Sequence, residues 1–292
     1  MNRKKVLILG SAGMAGHMIK HQLSELINIY DVYDVARSDL YFKPSFLLDV
    51  TDFKGLKKLI SRIKPDCVIN CIGVLNKTAE NNPDLAILIN SYLPHFLEKE
   101  TKNSNTKIIH ISTDCVFSGL KGGYIESDYK DGSGFYAQTK ALGELNNTKD
   151  LTIRTSIIGP ELNSSGIGLL HWFLKQDNDI YGYTNAYWSG VTTLELAKFI
   201  NFLLQSKVDL KGLFHLTNNI KIDKFSLLNI FQSTFKNFDF KIIPNPKYKI
   251  DKSFVNTSTD IKYNVPSYQI MTKELHNFIL AHKSLYSYRI ND

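Results

Sequence analysis

The sequence predicts an α/β protein built on a doubly wound parallel sheet, with a smaller C-terminal lobe. Three observations predict this class. Short apolar runs alternate with segments of helical periodicity through the first 156 residues, a glycine-rich turn follows the first run at once, and the pattern becomes irregular afterwards. Strands that are apolar along their whole length are typical of parallel sheets that helices cover on both faces.

The predicted elements follow the order that a βαβ series requires. Strands of the sheet are predicted at 6–10, 31–36, 67–72, 107–112, 151–154 and 213–217. Helices are predicted at 14–27, 53–63, about 83–101 with Pro94 as a local irregularity, 136–145 and 193–204. After residue 219 we predict a helix near 225–235, a short strand at 240–243, a proline-containing connection and a helix near 272–282. These patterns divide the chain into a large domain, 1–156 plus about 190–218, and a lobe of about 157–189 plus 219–292.

Composition and charge exclude several classes of protein. Hydrophobic residues make up 43% and charged residues 22%, which is typical of a globular protein. The net charge is +7, but the lysines are scattered, so we predict no nucleic-acid partner and connect the charge with smaller diphosphate ligands. No apolar run reaches the roughly 18 to 20 residues of a membrane span. Three cysteines without a paired spacing or a nearby histidine cluster predict no metal site, no disulfide framework and a reducing cytoplasm.

The glycine-rich turn after the first strand reads Gly-Ser-Ala-Gly-Met-Ala-Gly, residues 10–16. A tight turn of this kind brings backbone N–H groups and a helix N-terminus against a pyrophosphate, and the last glycine permits close packing of helix on strand. Its position between a strand and a helix predicts a dinucleotide site and a Rossmann-type sheet. The predicted cofactor contacts in this turn are Gly10, Ala12, Gly13, Met14 and Gly16.

The end of the second strand is the position that distinguishes the two nicotinamide cofactors. An acidic residue there binds the ribose 2′-hydroxyl of NAD, whereas an arginine accepts the 2′-phosphate of NADP. This strand ends with Arg37 and Ser38, although Asp34 lies close by. We therefore predict NADPH, with NADH as the alternative. Asp49 and Val50, before the next helix, are predicted adenine contacts.

Tyr136 and Lys140 are separated by four residues, which places both side chains on one helical face. An ammonium beside a phenol favours the phenolate, so Lys140 is expected to lower the pKa of Tyr136 and fit it for acid–base work. Thr113 stands at the carboxyl end of the preceding strand, where its hydroxyl reaches the same region. In the same strand, His110 is expected to be a packed core histidine. Arg154 either faces the active-site edge or forms a structural ion pair.

Four segments resemble a known family. They are KPDCVINC at 64–71, ISTDCVFSG at 111–119, YIESD at 124–128 and YAQTKALGE at 136–144. Together with the glycine run and Asn90, they resemble the extended short-chain dehydrogenase/reductases and, among these, the dTDP-4-dehydrorhamnose reductase branch. The resemblance spans most of residues 5–160, and the C-terminal third matches loosely.

The resemblance implies hydride transfer from a nicotinamide to the C4 ketone of a nucleotide-linked 4-keto-6-deoxyhexose, in surface polysaccharide biosynthesis. Tyr136 would donate the proton, Lys140 would hold the nicotinamide ribose, and Thr113 would hydrogen-bond the carbonyl oxygen. Further cofactor contacts implied by the resemblance are Cys71, Ile72, Gly73 and Asn90. A homodimer in the cytoplasm is also compatible with it.

Two departures from the branch leave the sugar open. Cys115 stands where the branch usually has tyrosine, and Ile72-Gly73 stand where it usually has two alanines. Candidate substrate contacts are Asp114, Cys115, Trp172, Asn185, Trp188 and Lys252, because an aromatic ring can stack on a base and a lysine can face a diphosphate. Two other functions stay open: a nucleotide-sugar epimerase with tightly bound NAD, and a non-catalytic NADP-binding regulatory subunit.

Overall fold

The computed structural model describes residues 3–235, 239–288 and 290, which form twelve strands and ten α-helices. The strands are β1 (Lys4–Leu9), β2 (Tyr30–Ala36), β3 (Phe46–Leu47), β4 (Cys67–Asn70), β5 (Lys107–Ser112), β6 (Leu151–Arg154), β7 (Ile157–Ile158), β8 (Ile180–Trp188), β9 (Val191–Thr192), β10 (Gly212–His215), β11 (Ile222–Asp223) and β12 (Ile242–Asp251). The helices are α1 (Met14–Ser24), α2 (Phe53–Ile63), α3 (Asn76–Asn81), α4 (Pro83–Ala86), α5 (Leu93–Thr101), α6 (Gly134–Leu142), α7 (Leu169–Phe173), α8 (Thr193–Gln205), α9 (Lys224–Phe235) and α10 (Tyr268–Ala281). Short 3-10 turns lie at Asp114–Val116 and Lys283–Leu285.

A parallel sheet of seven strands forms the centre of the molecule, in the order β10-β6-β5-β4-β1-β2-β3. The strand order reverses between β1 and β4. Ligands of such sheets bind at this switch point, in the crevice outside the carboxyl ends of the strands. The predicted doubly wound, Rossmann-type fold class is confirmed.

Each face of the central sheet has its own core, because successive side chains of a strand point to opposite faces. In β1, Val6 and Ile8 pack into a core shared with α1 and α8, whereas Leu7 and Leu9 pack into a second core with α2 and α5. All four side chains are fully buried. The apolar runs of the sequence are therefore explained by burial on both faces.

A second, three-stranded sheet in the order β11-β8-β12 is packed against α9 and belongs to the smaller lobe. The sequence did not predict it correctly: the stretch 181–188 was expected to be irregular, and Pro244 and Pro246 were expected in a connection. Both prolines lie within β12, which is an edge strand with a bulge between Asn245 and Lys249. Proline is tolerated in an edge strand because its missing N–H faces away from the partner strand.

The helix predicted at 83–101 is a continuous run of α4, a π-helical segment at Ile87–Tyr92 and α5. The irregularity that the sequence predicts at Pro94 therefore lies in the turn before it. Proline has no N–H to donate to the carbonyl one turn earlier, so the regular helical hydrogen bond is missing there. That carbonyl belongs to Asn90, and a Cβ on Gly143 would stand 1.9 Å from its oxygen. The π-helical turn thus allows α6 to pack closely against this segment.

Arg154 at the end of β6 forms a structural ion pair, the second of the two alternatives. Its Nε lies 2.9 Å from Oε1 of Glu144 and its Nη2 lies 2.7 Å from Oε2, while Nη1 lies 2.7 Å from Nε2 of His215. The side chain is 1% exposed. The bidentate pair with Glu144 compensates the buried guanidinium, and the contact with His215 links β6 to β10.

We propose the predicted division of the chain into a large domain and a lobe, since β10 joins the central sheet while β8, β11 and β12 form the second one. The outer limits of that division, residues 1 and 292, lie outside the described residues. Among the described residues, no helix is both long and apolar enough to cross a membrane.

Candidate active site

The glycine-rich turn has the conformation that the sequence predicts for a phosphate-binding loop. Gly10 adopts φ +83°, which favours glycine, and the N–H of Gly13 donates to its carbonyl at 3.0 Å. A Cβ on Gly16 would lie 2.1 Å from that same carbonyl oxygen. Gly16 therefore serves close packing of α1 on β1, and the N-terminus of α1 faces the crevice as an anion site.

Asp34 and Arg37 at the end of β2 take different roles. Asp34 is 2% exposed; it accepts hydrogen bonds from the hydroxyls of Ser11 at 2.7 Å and Ser45 at 2.8 Å, and pairs with Lys20 at 3.1 Å. These partners hold the pKa of Asp34 below its usual range against the opposing effect of burial. The bonds of Asp34 therefore fix the glycine-rich turn and engage its charge. Arg37, which follows β2, lines the crevice.

A cavity of about 480 Å³ occupies the crevice at the switch point. It brings together most of the predicted cofactor residues: Gly10, Ala12, Gly13, Met14, Arg37, Ser38, Asp49, Val50, Cys71, Ile72 and Gly73. Glu161, Leu162 and Asn163 also line it, and sequence reasoning missed them because they follow β7 in an irregular loop. The cavity size and its position at a helix N-terminus fit the adenosine and diphosphate part of a dinucleotide.

Asn90 is fully buried, and its side-chain hydrogen bonds stay within the protein. Its Oδ1 accepts from the N–H of Val74 at 2.8 Å, and its Nδ2 donates to the carbonyl of Val74 at 2.9 Å and to the hydroxyl of Thr139 at 3.1 Å. Asn90 therefore fixes the loop after β4 to helix α6. Its direct contact with a cofactor stays a prediction.

Thr113 and Tyr136 meet at the carboxyl edge of the sheet, where the Thr113 hydroxyl lies close enough to the Tyr136 phenol to lower its pKa. The Thr113 hydroxyl also donates to Oδ1 of Asp114 at 3.1 Å and accepts from the N–H of Cys115 at 3.1 Å. The 3-10 turn at Asp114–Val116 creates this arrangement, with Thr113 as its N-cap. Two hydroxyls are thus held side by side where a substrate oxygen is expected.

Lys140 lies on the same helix as Tyr136, is 4% exposed, and donates to the carbonyl of Ile111 at 2.7 Å. Its Nζ also lies 3.3 Å from Nε2 of His110, whose Nδ1 lies 3.1 Å from Nδ2 of Asn70. His110 is a buried strand histidine, as expected, but it also touches the lysine. Burial lowers the pKa of Lys140 to about 8.

The pKa of Tyr136 does not follow the sequence prediction. Burial raises it well above 10, and the neighbouring Asp114 carboxylate raises it further, because a negative group disfavours a phenolate. The ammonium of Lys140 donates to the Ile111 carbonyl. Tyr136 therefore holds its proton at neutral pH, the state in which a phenol can donate one. Burial also raises the pKa of Cys115 to about 11, so its thiol is a neutral neighbour.

The candidate substrate residues are distributed around this edge. Trp188 is buried, and Nζ of Lys224 lies 5.1 Å from its ring centre. Burial lowers the pKa of Lys224 to about 8, against the opposing effect of the nearby Asp114. Sequence reasoning missed Lys224 because it is one lysine among many. Lys252 is close enough to Cys115 to lower its pKa slightly.

Two candidates lie less centrally. Asn185 donates through Nδ2 to the carbonyl of Pro246 at 3.0 Å and so joins β8 to β12. Trp172 is 39% exposed on α7. Their contacts with substrate stay predictions.

These features, a dinucleotide crevice beside a Thr113–Tyr136 hydroxyl pair and a buried Lys140, agree with a comparison of the whole sequence. A family model described as the RmlD substrate binding domain matches residues 4–250. The chain belongs to this family. The predicted resemblance to the dTDP-4-dehydrorhamnose reductase branch is confirmed.

Named proteins similar to this RmlD family member differ in how much of their length is matched. The spore coat polysaccharide biosynthesis protein SpsK of Bacillus subtilis is 26% identical over 222 residues, 74% of each chain. The dTDP-4-dehydrorhamnose reductase of Escherichia coli is 28% identical, covering 72% of this chain and 71% of the enzyme. Methionine adenosyltransferase 2 subunit beta of Xenopus tropicalis is 29% identical over 48% of this chain and 42% of that protein.

A solved structure also confirms the RmlD-like fold. The Bacillus anthracis structure described as dTDP-4-dehydrorhamnose reductase in complex with NADP superposes with a TM-score of 0.81 at 21% identity. The superposition covers 95% of this chain and 100% of that chain, so the smaller lobe is shared as well as the central sheet.

Proposed function

We propose that this protein is an NADPH-dependent reductase of the C4 ketone of a nucleotide-linked 4-keto-6-deoxyhexose, acting in surface polysaccharide biosynthesis. The observation that carries the proposal is the pair of neighbouring hydroxyls, Thr113 and Tyr136, at the same carboxyl edge of the sheet as the dinucleotide crevice. The matched E. coli relative bears the name of such a reductase, and SpsK bears the name of a polysaccharide biosynthesis protein.

The crevice fits a nicotinamide dinucleotide. The N-terminus of α1 and the turn at Gly10 and Gly13 would bind the diphosphate, and Asp49 and Val50 would lie at the adenine. Such a cofactor supplies the hydride that reduces a ketone. Arg37 would accept a 2′-phosphate, and because Asp34 is bonded to Ser11, Ser45 and Lys20, NADPH is favoured over NADH.

The protein's own residues then handle the carbonyl oxygen. Thr113 and Tyr136 would hydrogen-bond that oxygen together and stabilise the negative charge that develops on it. Tyr136 would give up its phenolic proton to complete the hydroxyl, and its raised pKa keeps that proton in place until then. Lys140 would hold the nicotinamide ribose, from a position fixed by its bond to the Ile111 carbonyl.

The substrate would lie across the carboxyl edge, between the central sheet and the lobe. Asp114 and Cys115 would face the sugar, Trp188 would offer an aromatic surface, and Lys252 would face the diphosphate. We add Lys224 to these, since its ammonium lies near both Asp114 and Trp188. A homodimer, a cytoplasmic location and the absence of a nucleic-acid partner stay predictions.

The test is consumption of NADPH, followed by absorbance, with a panel of nucleotide-linked 4-keto-6-deoxy sugars. Wild type should oxidise NADPH only when a sugar is present, and Tyr136→Phe should lose about 10²- to 10⁴-fold in kcat, the range of general acid catalysis. Tyr33→Phe, a change of the same kind in strand β2, should leave kcat unchanged. NADPH binding by fluorescence should persist in both variants.

The two alternatives give different results in the same assay. A regulatory subunit would bind NADPH without any sugar-dependent oxidation, as the similarity to methionine adenosyltransferase 2 subunit beta allows. An epimerase would convert sugars without net consumption of cofactor. Either result would contradict the proposed reductase.

A further inference from the structure

A cluster of three ligand-bearing side chains lies outside the active site, where α1 meets the segment after α10. His21 and Glu25 come from the end of α1, and His282 follows α10 directly. One ligand atom from each residue lies within 4.8 Å of the others. The distance from Nδ1 of His21 to Oε1 of Glu25 is 3.4 Å. In a tetrahedral site, two ligand atoms that each lie about 2.0–2.2 Å from one zinc ion are separated from each other by nearly this distance.

The histidines have hydrogen-bond states that suit a ligand. Nδ1 of His21 is buried and makes no hydrogen bond to any described residue, although it lies beside Glu25. Buried polar atoms are rarely left in that state, so this nitrogen requires a partner. Nδ1 of His282 lies 2.8 Å from the carbonyl of Phe278 and donates to it. That bond leaves the lone pair on Nε2, which is how outer hydrogen bonds orient metal-binding histidines.

The surroundings also suit a cation. A cavity of about 300 Å³ reaches His21 and Glu25 and provides an entry path. Lys20 lines the same cavity, but its ammonium is paired with Asp34 at 3.1 Å and lies 3.6 Å from the centre of the Phe42 ring. The rings of His21 and His282 lie edge to face, 4.2 Å apart. Two neutral imidazoles and one carboxylate leave a single negative charge for a divalent ion.

We propose that His21, Glu25 and His282 form a binding site for one divalent transition-metal ion of the zinc class. Imidazole and carboxylate ligands select such ions over magnesium, which prefers all-oxygen sites. The ion would join the C-terminal end of α10 to the far end of the helix that faces the cofactor crevice. The sequence predicted no metal site, and these ligands come from opposite ends of the chain, where spacing within a motif carries no signal of them.

Calorimetric titration of the full-length, tag-free, chelator-washed protein with zinc chloride tests this site. Wild type should bind one equivalent, and its thermal midpoint should rise with zinc but not with magnesium. Glu25→Gln and His282→Asn should each raise the Kd for zinc about tenfold or more. Even a change to an outer-shell partner of a metal ligand typically costs about 10- to 100-fold in affinity. Since Glu25 is exposed, Glu25→Gln leaves folding intact.

His95→Asn is the matched control, because His95 pairs with Glu98 at 3.1 Å elsewhere on the surface. It should bind zinc as wild type does. NADPH binding should be retained in all three variants and reports their folding independently of catalysis. Absence of saturable zinc binding by wild type, or an unchanged Kd in Glu25→Gln and His282→Asn, would overturn the proposal.

Discussion

Asp34 and Arg37 lie near the end of the same strand, and their partners decide which of them is available to a ligand. Asp34 is buried among two serine hydroxyls and a lysine, so its charge is used inside the protein. Arg37 lines the crevice with its charge available. The sequence predicted Arg37 as a cofactor contact, with Asp34 close by, but carried no signal of the side-chain bonds that distinguish them.

Removal of Arg37 should change the cofactor preference. Because a hydrogen bond to a charged group contributes about 1.5–3 kcal/mol, Arg37→Ala should raise the KM for NADPH about 10- to 100-fold and leave that for NADH nearly unchanged. Steady-state kinetics with both cofactors measures this. Arg62→Ala, at an exposed position on α2, is the control. An equal loss with both cofactors would place Arg37 away from the 2′-phosphate.

Lys140 should reduce the stability of the folded chain at neutral pH. Its pKa falls from 10.5 in the unfolded chain to about 8 in the folded one, so the unfolded chain binds more protons between those pH values. Lys140→Met should therefore be about 3 kcal/mol more stable than wild type at pH 7. The difference should shrink as the pH rises from about 8 to 10.5. Urea unfolding across this range measures it, and a difference independent of pH would contradict the lowered pKa.

At the scale of elements, the contact of α1 with β1 depends on Gly16. A methyl group there would lie 2.1 Å from the carbonyl oxygen of Gly10, so Gly16→Ala must shift the helix away from the strand. We expect a loss of about 1–3 kcal/mol in the free energy of unfolding, the usual effect of overpacking, together with weaker NADPH binding. Ser24→Ala, at the exposed end of the same helix, should change neither. Wild-type cofactor affinity in Gly16→Ala would contradict a tightly fitted phosphate turn.

Elements of the central sheet were predictable because burial on both faces leaves an unmistakable apolar run, as in β1, β4 and β5. The lobe's strands were not. β8 alternates exposed Tyr181 and Tyr183 with buried Gly182, and β12 contains two prolines that only an edge position allows. Their pairing across distant parts of the chain, rather than local propensity, makes them strands.

At the scale of the whole molecule, some features of the candidate sites can be predicted from sequence motifs, and others depend on how the chain packs. Tyr136, Lys140 and Thr113 follow from motifs in elements of known order, so the sequence predicts a candidate active site. The raised pKa of Tyr136, the bond from Lys140 to the Ile111 carbonyl and the presence of Lys224 depend on packing, which no spacing reveals. The same is true of the His21–Glu25–His282 cluster, which exists only once both ends of the chain meet.

The central claim is that a hydride reaches C4 of the sugar while Tyr136 protonates the oxygen. Its most direct test is NMR of the product formed with NADPH carrying deuterium at the transferable position. The reductase predicts one deuterium at C4 of the product sugar with wild type and almost none in the same time with Tyr136→Phe. A product without deuterium at C4, or no product from any nucleotide-linked 4-keto-6-deoxy sugar, would contradict the account.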